Sequence, residues 1–430
     1  MEYKVYKKYV KPGDKEFAEC KFLCGVTRDL YNKCLYSIRQ YYFTYNSFSY
    51  EYHNSQTNEV DKVYVTSNNY MYHLHKNDPE FRTTDINGDT FNTKVLKQVY
   101  IQVSRQFYAL TQAWSAFYKN PKDFNNVKPK LPNYKGAKQL FMCRHPADAI
   151  KKSKLHGHVR LSSTNIDIPL LNGITKSDIR EVLITPLVYG FEISVCYKIK
   201  EEKEIPDIES VSKIMGIDLG MNNLCTLTSN DSSFKPIIIN GRPLKSVNQY
   251  YFKTKAEYQQ ELPKGVTTSN KIKQLTQKRN FKNKDYMHKV SSFIVEEAIK
   301  NNIECIVCGY NPKWKQSINI GKRNNQNFCS IPFYTLISML QYKCKQAGIL
   351  FITSNESHTS VCSFLDLEPI KHHDNYCGSR VKRGLFKSAN GDKINADVNG
   401  SYNIIRKVFG DEFFTYTDKY INLPVRKRNL

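Results

Sequence analysis

The chain has 430 residues, which is too many for a single hydrophobic core and predicts two or three domains. Lys and Arg number 64 against 40 Asp and Glu, so the formal net charge is +24, and 13% of the residues are aromatic. We expect a polyanionic partner, and we expect neither a signal peptide nor a membrane span, because no apolar run approaches the ~20 residues that crossing a bilayer requires.

The first 120 residues predict one strand followed by helices. Residues 3–10 are charged and strand-like, and apolar residues at helical spacing predict a helix over 16–45. The clearest helix begins near Leu96, and its apolar and aromatic residues recur every three or four positions as far as Phe117. We interpret this stripe as a core-facing surface and residues 15–120 as a helical lobe.

Short strands are predicted over residues 140–200. The best of them lies at 191–199, where apolar residues alternate with polar ones. We predict that residues 1–14 and 121–207 together form a β-barrel-like domain, with the helical lobe inserted between its two parts.

From residue 208 the pattern becomes that of a ribonuclease-H-like α/β domain. Three strands come first and should pair antiparallel, and helices then alternate with strands. The predicted elements are strands at 213–219, 224–229, 234–239, 303–308 and 349–353 and helices at 269–301, 331–347 and 396–408. We expect this domain to extend over 208–410 and to be followed by a basic tail, 411–430. We expect the end of this tail, Arg426-Lys-Arg-Asn-Leu430, to be disordered.

Two carboxylates lie at positions where this fold binds metal. Asp218 ends the first apolar strand, and a buried carboxylate is costly unless it is paired or holds a cation. Asp397 lies in the first turn of the last helix, where the helix dipole by itself also favours an acid. Ribonuclease-H-like nucleases hold two metal ions, usually Mg²⁺, about 3.5–4 Å apart on oxygen ligands. Both residues are therefore candidate Mg²⁺ ligands.

Three motifs together resemble the TnpB family. They are Ile217-Asp-Leu-Gly-Met-Asn-Asn-Leu224, Thr359-Ser-Val-Cys-Ser363 and Asn395-Ala-Asp-Val-Asn-Gly-Ser-Tyr-Asn-Ile-Ile405. Members of this family are transposon-encoded, RNA-guided DNA nucleases related to type V CRISPR effectors and to the Fanzor proteins. The resemblance covers nearly the whole chain and implies that the barrel-like domain is a wedge domain and the helical lobe a recognition lobe.

The resemblance also implies a function. Such a protein binds a guide RNA derived from the transposon end and reads a short motif that flanks the target. It then cleaves double-stranded DNA at one RuvC-like site by two-metal-ion phosphodiester hydrolysis. Base pairing reads the target sequence, whereas the protein reads backbone shape and the flanking motif.

The chain departs from the family at the third acidic ligand. Relatives carry a Glu at the end of the fourth strand, where this sequence has Cys308. Glu304 cannot replace that Glu, because four residues along a strand span about 13 Å. One interpretation is a nuclease-inactive protein that still binds RNA and DNA, such as a repressor. The other is that Glu356, just past the fifth strand, completes a site with Asp218 and Asp397, as in relatives with a rearranged Glu.

The zinc ribbon of the family is degenerate here, over about 360–393. The resemblance implies two Cys-x₂-Cys pairs, but Cys362 has lost its partner, and only His372, His373 and Cys377 follow it closely. These four side chains could form a zinc site with nitrogen and sulfur ligands. Relatives can also lack the metal, so both alternatives stay open.

Basic residues suited to nucleic-acid contacts fall in four stretches. The stretch 128–136 is extended and broken by proline, as a loop along a phosphate backbone would be, although a solvated linker has the same composition. The others are a loop near residue 320, a hairpin near residue 380 and the helix of Asp397. The candidates are Lys128, Lys130, Lys135, Lys313, Lys315, Lys322, Arg323, Arg380, Lys382, Arg383 and Arg406.

The spacing of the cysteines indicates the cellular compartment, and the abundance of certain residue types indicates the kind of host. Twelve Cys without a disulfide-type spacing point to a reducing, intracellular compartment. The abundance of Lys, Asn, Tyr, Ile and Phe fits low-GC bacteria and large DNA viruses equally. We expect the cytoplasm of a bacterium, or the nucleus or a virus factory for a eukaryote or virus. A strand-joining transposase is the less favoured class, because relatives of this shape accompany a separate transposase.

Overall fold

The computed structural model describes residues 3–54, 59–82, 92–198, 203–311, 321–414, 417–420 and 423–427. The chain forms two compact units, Met1–Glu201 and Glu202–Leu430. None of the helices in these ranges is long and apolar enough to cross a membrane.

The first unit combines helices with short strands. Its helices are α1 (Phe17–Tyr45), α2 (Asn68–His75), α3 (Pro79–Arg82) and α4 (Thr93–Lys119). Its strands are β1 (Tyr3–Val10), β2 (Ser49–His53), β3 (Val60–Tyr64), β4 (Cys143–Pro146), β5 (Ile150–Lys152), β6 (His158–Leu161), β7 (Asp167–Pro169), β8 (Ile179–Pro186) and β9 (Phe191–Lys198).

The first strand joins a sheet whose other strands come much later in the sequence. β1 pairs antiparallel with β9, and the sheet order is β1-β9-β8-β4. β5, β6 and β7 form a second antiparallel sheet. The helices and the β2–β3 hairpin therefore lie, in sequence, between two paired parts of one sheet.

One hydrophobic core connects the helices of the first unit with its strands. Val99, Val103 and Phe107 of α4 are buried in it, as the apolar stripe predicts. Strand residues such as Val182 and Ile193 belong to the same core. Because α4 packs its apolar face on these strands, its stability depends on the sheet as much as on helix propensity.

The basic stretch 128–136 is held against α1 and α4 through its backbone. Asn32 exchanges two 2.8 Å hydrogen bonds with the main chain of Lys135, and Arg39 donates to the Pro132 carbonyl at 2.6 Å. The Trp114 indole donates to the Pro129 carbonyl at 2.6 Å. These bonds satisfy backbone groups that no sheet or helix would satisfy.

The second unit is an α/β domain. Its strands are β10 (Ile214–Leu219), β11 (Asn223–Ser229), β12 (Ile237–Asn240), β13 (Cys305–Gly309), β14 (Leu350–Ser354), β15 (Ser379–Lys382), β16 (Leu385–Lys387), β17 (Lys393–Ile394) and β18 (Val425–Lys427). Its helices are α5 (Arg242–Gln260), α6 (Asn270–Lys300), α7 (Lys322–Cys329), α8 (Phe333–Ala347) and α9 (Ala396–Phe409).

The central sheet of this unit has the order β14-β13-β10-β11-β12-β18. β10, β11 and β12 are antiparallel, whereas β13 and β14 run parallel to β10. One face of the sheet packs on α5, α6 and α8, and we call it the α6 face. The other packs on α9, and we call it the α9 face. The predicted strands and helices occur in the predicted order, and the structure adds α7, β15–β17 and β18.

The prediction of a disordered tail end is wrong for its two described residues, Arg426 and Lys427, which lie in β18. β18 pairs parallel with β12 at the edge of the sheet, and the Val425 amide donates to the Pro236 carbonyl at 2.8 Å. Phe414 and Tyr420 are buried among the residues that pack on α9. The tail therefore completes the second unit, because its aromatic side chains cover apolar surface that α9 would otherwise expose.

Candidate active site

Asp218 lies near the end of β10 and faces α9. Ile217 and Leu219 on either side of it point into the core of the α6 face, so strand alternation turns Asp218 to the opposite face. A Cβ on Gly400 of α9 would be 3.4 Å from Asp218 Oδ2. The helix reaches the sheet at Gly216, where a Cβ would be 2.5 Å from the Ser401 carbonyl oxygen. The absence of a side chain at Gly216 thus brings α9 close to the Asp218 carboxylate.

Asp397 lies in the first turn of α9, whose N-cap is Asn395. The Asn395 side chain accepts hydrogen bonds from the amides of Asp397 and Val398 at 3.0 and 3.2 Å. The Asp397 carboxylate accepts a 2.6 Å hydrogen bond from the Asn223 amide, and Arg380 Nη2 lies 3.5 Å from Asp397 Oδ1. Its orientation is therefore set by two side chains in addition to the helix dipole.

Glu356 lies two residues past β14, and its carboxylate turns back toward the sheet. Its Oε2 atom is buried and has no hydrogen-bond partner within the described residues. Burial raises the pKa of Glu356 from 4.5 to about 7. A buried carboxylate oxygen without a partner is costly, so this position calls for a cation or a proton.

The strand position that faces Glu356 is Gly309, and the prediction that Cys308 marks the vacated ligand position is wrong. Cys308 is paired with Ile217, and both side chains lie in the core of the α6 face. The next residue, Gly309, points to the α9 face, where its Cβ would be 3.2 Å from Glu356 Oε2. The Glu356 carboxylate therefore fills the space that a side chain at Gly309 would occupy.

The electrostatics tie the three carboxylates together. Burial, followed by the negative charges of Glu356 and Asp397, holds the pKa of Asp218 well above its usual range, and Arg380 partly opposes this shift. Asp218 and Glu356 therefore repel each other and bind protons more tightly than ordinary carboxylates. A divalent cation would relieve both the repulsion and the unpaired oxygen of Glu356, so the donor set fits a hard metal ion.

The carboxylates of Asp218, Glu356 and Asp397 interact electrostatically, but they are not yet arranged as a set of metal ligands. In the described part of the chain, no group of three or more His, Cys, Asp or Glu side chains already has an arrangement that could hold a metal. Both oxygens of the Asp397 carboxylate are engaged, Oδ2 by the Asn223 amide and Oδ1 by Arg380. Asp397 must exchange at least the Arg380 contact for a metal ion in order to join Asp218 and Glu356.

Two asparagines of the third motif fasten the segment after Glu356 to α9, a role that the sequence analysis did not assign. Asn399 accepts from the Phe364 amide at 2.9 Å and donates to the Cys362 carbonyl at 2.8 Å. Asn403 donates to the Thr359 and Cys362 carbonyls at 2.9 and 2.8 Å. Their spacing of four residues, on one side of a helix, is the sequence signal that could have revealed this clamp. The clamp joins the Glu356 segment and the Asp397 helix.

The predicted zinc ligands likewise do not form a group that could hold a metal ion. Cys362 Sγ contacts the Pro369 and Lys371 carbonyls at 3.5 Å, and His373 Nε2 lies 2.7 Å from the Pro369 carbonyl. His372 stacks edge-on against His358, with ring centroids 6.2 Å apart, and Cys377 is exposed.

A buried carboxylate connects the two halves of this insertion instead. Glu368 is 2% exposed, and it accepts hydrogen bonds from the Ser363 amide at 2.7 Å and from the Cys377 amide at 2.8 Å. These two segments are the ones that a ribbon would tie with zinc. The sequence analysis did not single out Glu368, because an isolated acid in a loop carries no spacing signal.

The predicted phosphate contact at Arg406 is wrong. Arg406 is 4% exposed, its Nε donates to Asp411 at 2.7 Å and its Nη1 donates to Asn403 at 2.8 Å. The guanidinium therefore fixes the side chain of Asn403, one of the two asparagines that hold the Glu356 segment on α9. A residue in the last turn of α9 whose donors are used inside the domain cannot reach a nucleic acid.

The other basic candidates differ in their surroundings. Lys382, Arg383 and Lys130 are exposed, and the Lys128 ammonium lies 4.3 Å from the Trp114 ring centroid. The Lys135 ammonium lies 5.5 Å from the ring centroid of Tyr31. Lys322 and Arg323 begin α7, and Lys313 and Lys315 lie outside the described residues.

The sheet order, the helix α9 against it and the acidic groups at the strand ends define a ribonuclease-H-like α/β domain. A family model described as a probable transposase matches residues 194–315, and one described as a Cas12f1-like TNB domain matches residues 333–404. The chain is 26% identical over 220 residues to a TnpB-like protein of Methanocaldococcus jannaschii; the match covers 48% of this chain and 72% of that protein. These matches show that the chain is similar to TnpB-like proteins.

The fold also has a solved counterpart. The cryo-EM structure of a complex of Cas12f1 with its sgRNA and target DNA matches with a TM-score of 0.51 at 14% identity. The match covers 90% of this chain and 81% of that chain. The similarity shows a shared mixed α/β architecture that runs through both units.

Proposed function

We propose that the protein is an RNA-guided DNA endonuclease of transposon origin, with Asp218, Glu356 and Asp397 as its metal-binding carboxylates. The observation that carries the proposal is the unpaired Oε2 of Glu356, which fills the space above Gly309 on the face that Asp218 and α9 share. A protein that had merely lost a ligand at β13 would have no reason to bury a second carboxylate there.

The three carboxylates would hold two Mg²⁺ ions. Bound ions of this kind activate the attacking water and stabilise the leaving oxygen of the phosphodiester. The chain itself supplies the positions: Asn223 orients Asp397, and the Asn399–Asn403 clamp keeps the Glu356 segment on α9. Sheet and helix thus preorganise the acidic groups before DNA arrives.

Guide RNA and target DNA are the partners that this proposal requires. The net charge of +24 suits a channel for both, and the fold is that of a protein whose structure contains sgRNA and target DNA. We assign residues 1–14 and 121–207 to a wedge domain and residues 15–120 to a recognition lobe that reads the flanking motif. The three-stranded β15–β17 insertion near the carboxylates would contact the DNA through Lys382 and Arg383.

A nuclease-inactive, guided DNA-binding protein is the second candidate. The observation that favours it is the ion pair between the Arg380 guanidinium and the Asp397 carboxylate, in which the arginine takes the place of a metal cation. Under this alternative the Arg380–Asp397 ion pair is permanent, and the domain binds guided targets without cutting them.

One experiment separates the two candidates. The protein is expressed with its flanking locus so that its RNA copurifies, and it is incubated with a plasmid that carries the matching target beside randomised flanking bases. We expect double-strand cuts in Mg²⁺ and none in EDTA, with loss of cutting in Glu356→Gln and retention in the matched surface variant Glu257→Gln. Guided binding without cuts would establish the inactive protein, and cutting by Glu356→Gln would overturn the ligand assignment.

A further inference from the structure

A cavity of about 390 Å³ lies between α5 and α6 and shares no lining residue with the candidate active site. Its volume falls in the range of about 300–1,000 Å³ that is usual for ligand pockets. α5 contributes Tyr250 and Tyr251 to its lining, and α6 contributes Leu275, Lys278, Arg279 and Lys282. The cavity therefore has one aromatic wall and one cationic wall.

The aromatic wall consists of one buried ring, which is held in place, and one exposed ring, which is free to stack on a ligand. Tyr251 is 7% exposed, and its hydroxyl lies 3.3 Å from the Thr276 hydroxyl. Tyr250, which also lines the cavity, is 64% exposed. An exposed ring at the mouth of a cavity can stack on a planar base without any rearrangement of the core.

The cationic wall is built around Arg279. Its Nε donates to Asn248 at 2.7 Å, its Nη2 donates to the Ser330 carbonyl at 3.3 Å, and its guanidinium lies 5.2 Å from the Tyr251 ring centroid. No carboxylate is among these partners, so the charge of Arg279 is held in place without being neutralised. A fixed, partly buried cation favours an anion in the adjoining space.

Lys278 and Lys282 extend this charge toward solvent. They lie one helical turn apart, both are exposed, and neither has a carboxylate partner among the described residues. The segment 242–284, which contains the cavity, holds only two acids, Glu257 and Glu261, against eleven Lys and Arg. An aromatic surface next to unpaired cations is the combination that binds a base and its phosphate.

We infer that this cavity binds one unpaired nucleotide of RNA, with the base stacked on Tyr250 and its phosphate at Lys278 and Lys282. The inference rests on the proposed function, which supplies a guide RNA. RNA is favoured over DNA because α5 and α6 cover the α6 face, whereas the carboxylates lie on the α9 face. A ligand that stays bound while DNA is cut belongs on the face away from the cut.

The test uses the full chain freed of RNA in high salt and a 12-nucleotide single strand that contains 5-iodouridine, made as RNA and as DNA of the same sequence. Fluorescence anisotropy gives affinity at several salt concentrations, and photo-crosslinking followed by mass spectrometry gives the contact residue. We expect the RNA to crosslink at Tyr250. Tyr250→Ala should weaken binding about tenfold, whereas Tyr250→Phe, which keeps the ring, should not.

The lysines give an independent readout. The double variant K278Q/K282Q should reduce the magnitude of the slope of log K against log salt by about 0.7, since the one phosphate contact that these two lysines share is removed. The matched double variant K264Q/K300Q removes two exposed lysines elsewhere in the same unit and should leave the slope unchanged.

The outcomes are distinguishable. If wild type binds the RNA but Tyr250→Ala and K278Q/K282Q behave like wild type, this inference is wrong and the proposed function stands. If the DNA strand binds and crosslinks at Tyr250 as well as the RNA does, the assignment to RNA is wrong. If wild type binds no RNA, and none copurifies, the proposed function is wrong, and the inference that rests on it is wrong as well. Thermal melts of the Tyr250 variants, whose side chain is exposed, verify that folding is unchanged.

Discussion

Arg380 Nη2 lies 3.5 Å from Asp397 Oδ1, so a cation of the chain itself contacts one of the three carboxylates proposed to hold metal. Arg380 is on β15 and Asp397 is on α9, and the contact links the β15–β17 insertion to the α9 face. Both side chains are partly exposed, at 49% and 29%, so their ion pair is weak enough to be replaced.

Removing this arginine should therefore strengthen metal binding in the absence of nucleic acid. An exposed ion pair contributes about 0.2–1 kcal/mol, so Arg380→Gln should lower the half-saturating Mg²⁺ concentration by a factor of about 1.5 to 5. The measurement is the thermal shift of the protein during Mg²⁺ titration, with Lys382→Gln as the neighbouring control. Equal Mg²⁺ affinities in Arg380→Gln and wild type would show that the ion pair does not compete with metal.

The raised pKa of Glu356 predicts how stability depends on pH. Its folded-state pKa of about 7 exceeds the ordinary 4.5, so the folded protein binds the extra proton between these pH values and loses stability as pH rises through them. In EDTA, Glu356→Gln should be more stable than wild type by about 2–3 kcal/mol at pH 8 and nearly equal to it at pH 4.5.

Denaturant unfolding at the two pH values checks this expectation. Mg²⁺ should restore stability to wild type at pH 8 and have little effect on Glu356→Gln, because the carboxylate that it would bind is gone. A Glu356→Gln variant that is less stable than wild type at pH 8 in EDTA would show that the carboxylate has a stabilising partner there.

The space shared by Gly309 and Glu356 predicts a rescue. A side chain at 309 would lie 3.2 Å from Glu356 Oε2 and 2.6 Å from Ile404 Cδ1. The triple variant G309E/E356A/I404V removes Glu356 Oε2 and Ile404 Cδ1 and returns a carboxylate to the end of β13, while the γ carbon of residue 404, 3.2 Å away, must shift by a few tenths of an ångström. It should regain part of the cleavage that E356A loses.

The measurement is the single-turnover cutting rate of the guided plasmid, and E356A/I404V is the control. We expect the triple variant to cut at least tenfold faster than this control. Rescue by C308E/E356A instead would mean that Cys308, and not Gly309, faces the carboxylates.

Arg406 should behave as a stability residue. Its removal leaves the buried Asn403 Oδ1 without a donor and the half-exposed Asp411 without its cation, so Arg406→Gln should destabilise the protein by about 1–3 kcal/mol. Urea unfolding measures this loss, and Lys382→Gln serves as the exposed control. The salt slope of RNA binding should not change in the folded variant, and a slope reduced by one phosphate contact would return Arg406 to the nucleic-acid surface.

The insertion should be insensitive to zinc chelation and sensitive to Glu368. Phenanthroline should leave the melting temperature unchanged. Glu368→Ala, which removes the acceptor of the buried Ser363 amide and of the Cys377 amide, should cost about 1–3 kcal/mol. Metal analysis of the purified protein accompanies the melts. Stoichiometric zinc together with a chelator-dependent fall in melting temperature would establish the Cys362, His372, His373 and Cys377 site that the described geometry lacks.

The sequence by itself determined the strand and helix order of the second unit and the positions of Asp218 and Asp397. Both follow from local information: apolar periodicity sets elements over a few residues, and a motif carries its acid with its own strand or helix. The helical stripe of α4 was equally readable, since its period is an internal property of one segment.

Only the tertiary structure decided which side chains meet. Side chains alternate along a strand, so an error of one residue, Cys308 for Gly309, moves a proposed ligand to the other face of the sheet. The burial of Arg406 and the amide contacts of Glu368 depend on residues brought together by packing, which no spacing in their own segments records. The pairing of β18 with the sheet could not be predicted either. β18 covers a sheet edge, and the tail covers an apolar surface, that exist only after the rest of the domain has folded.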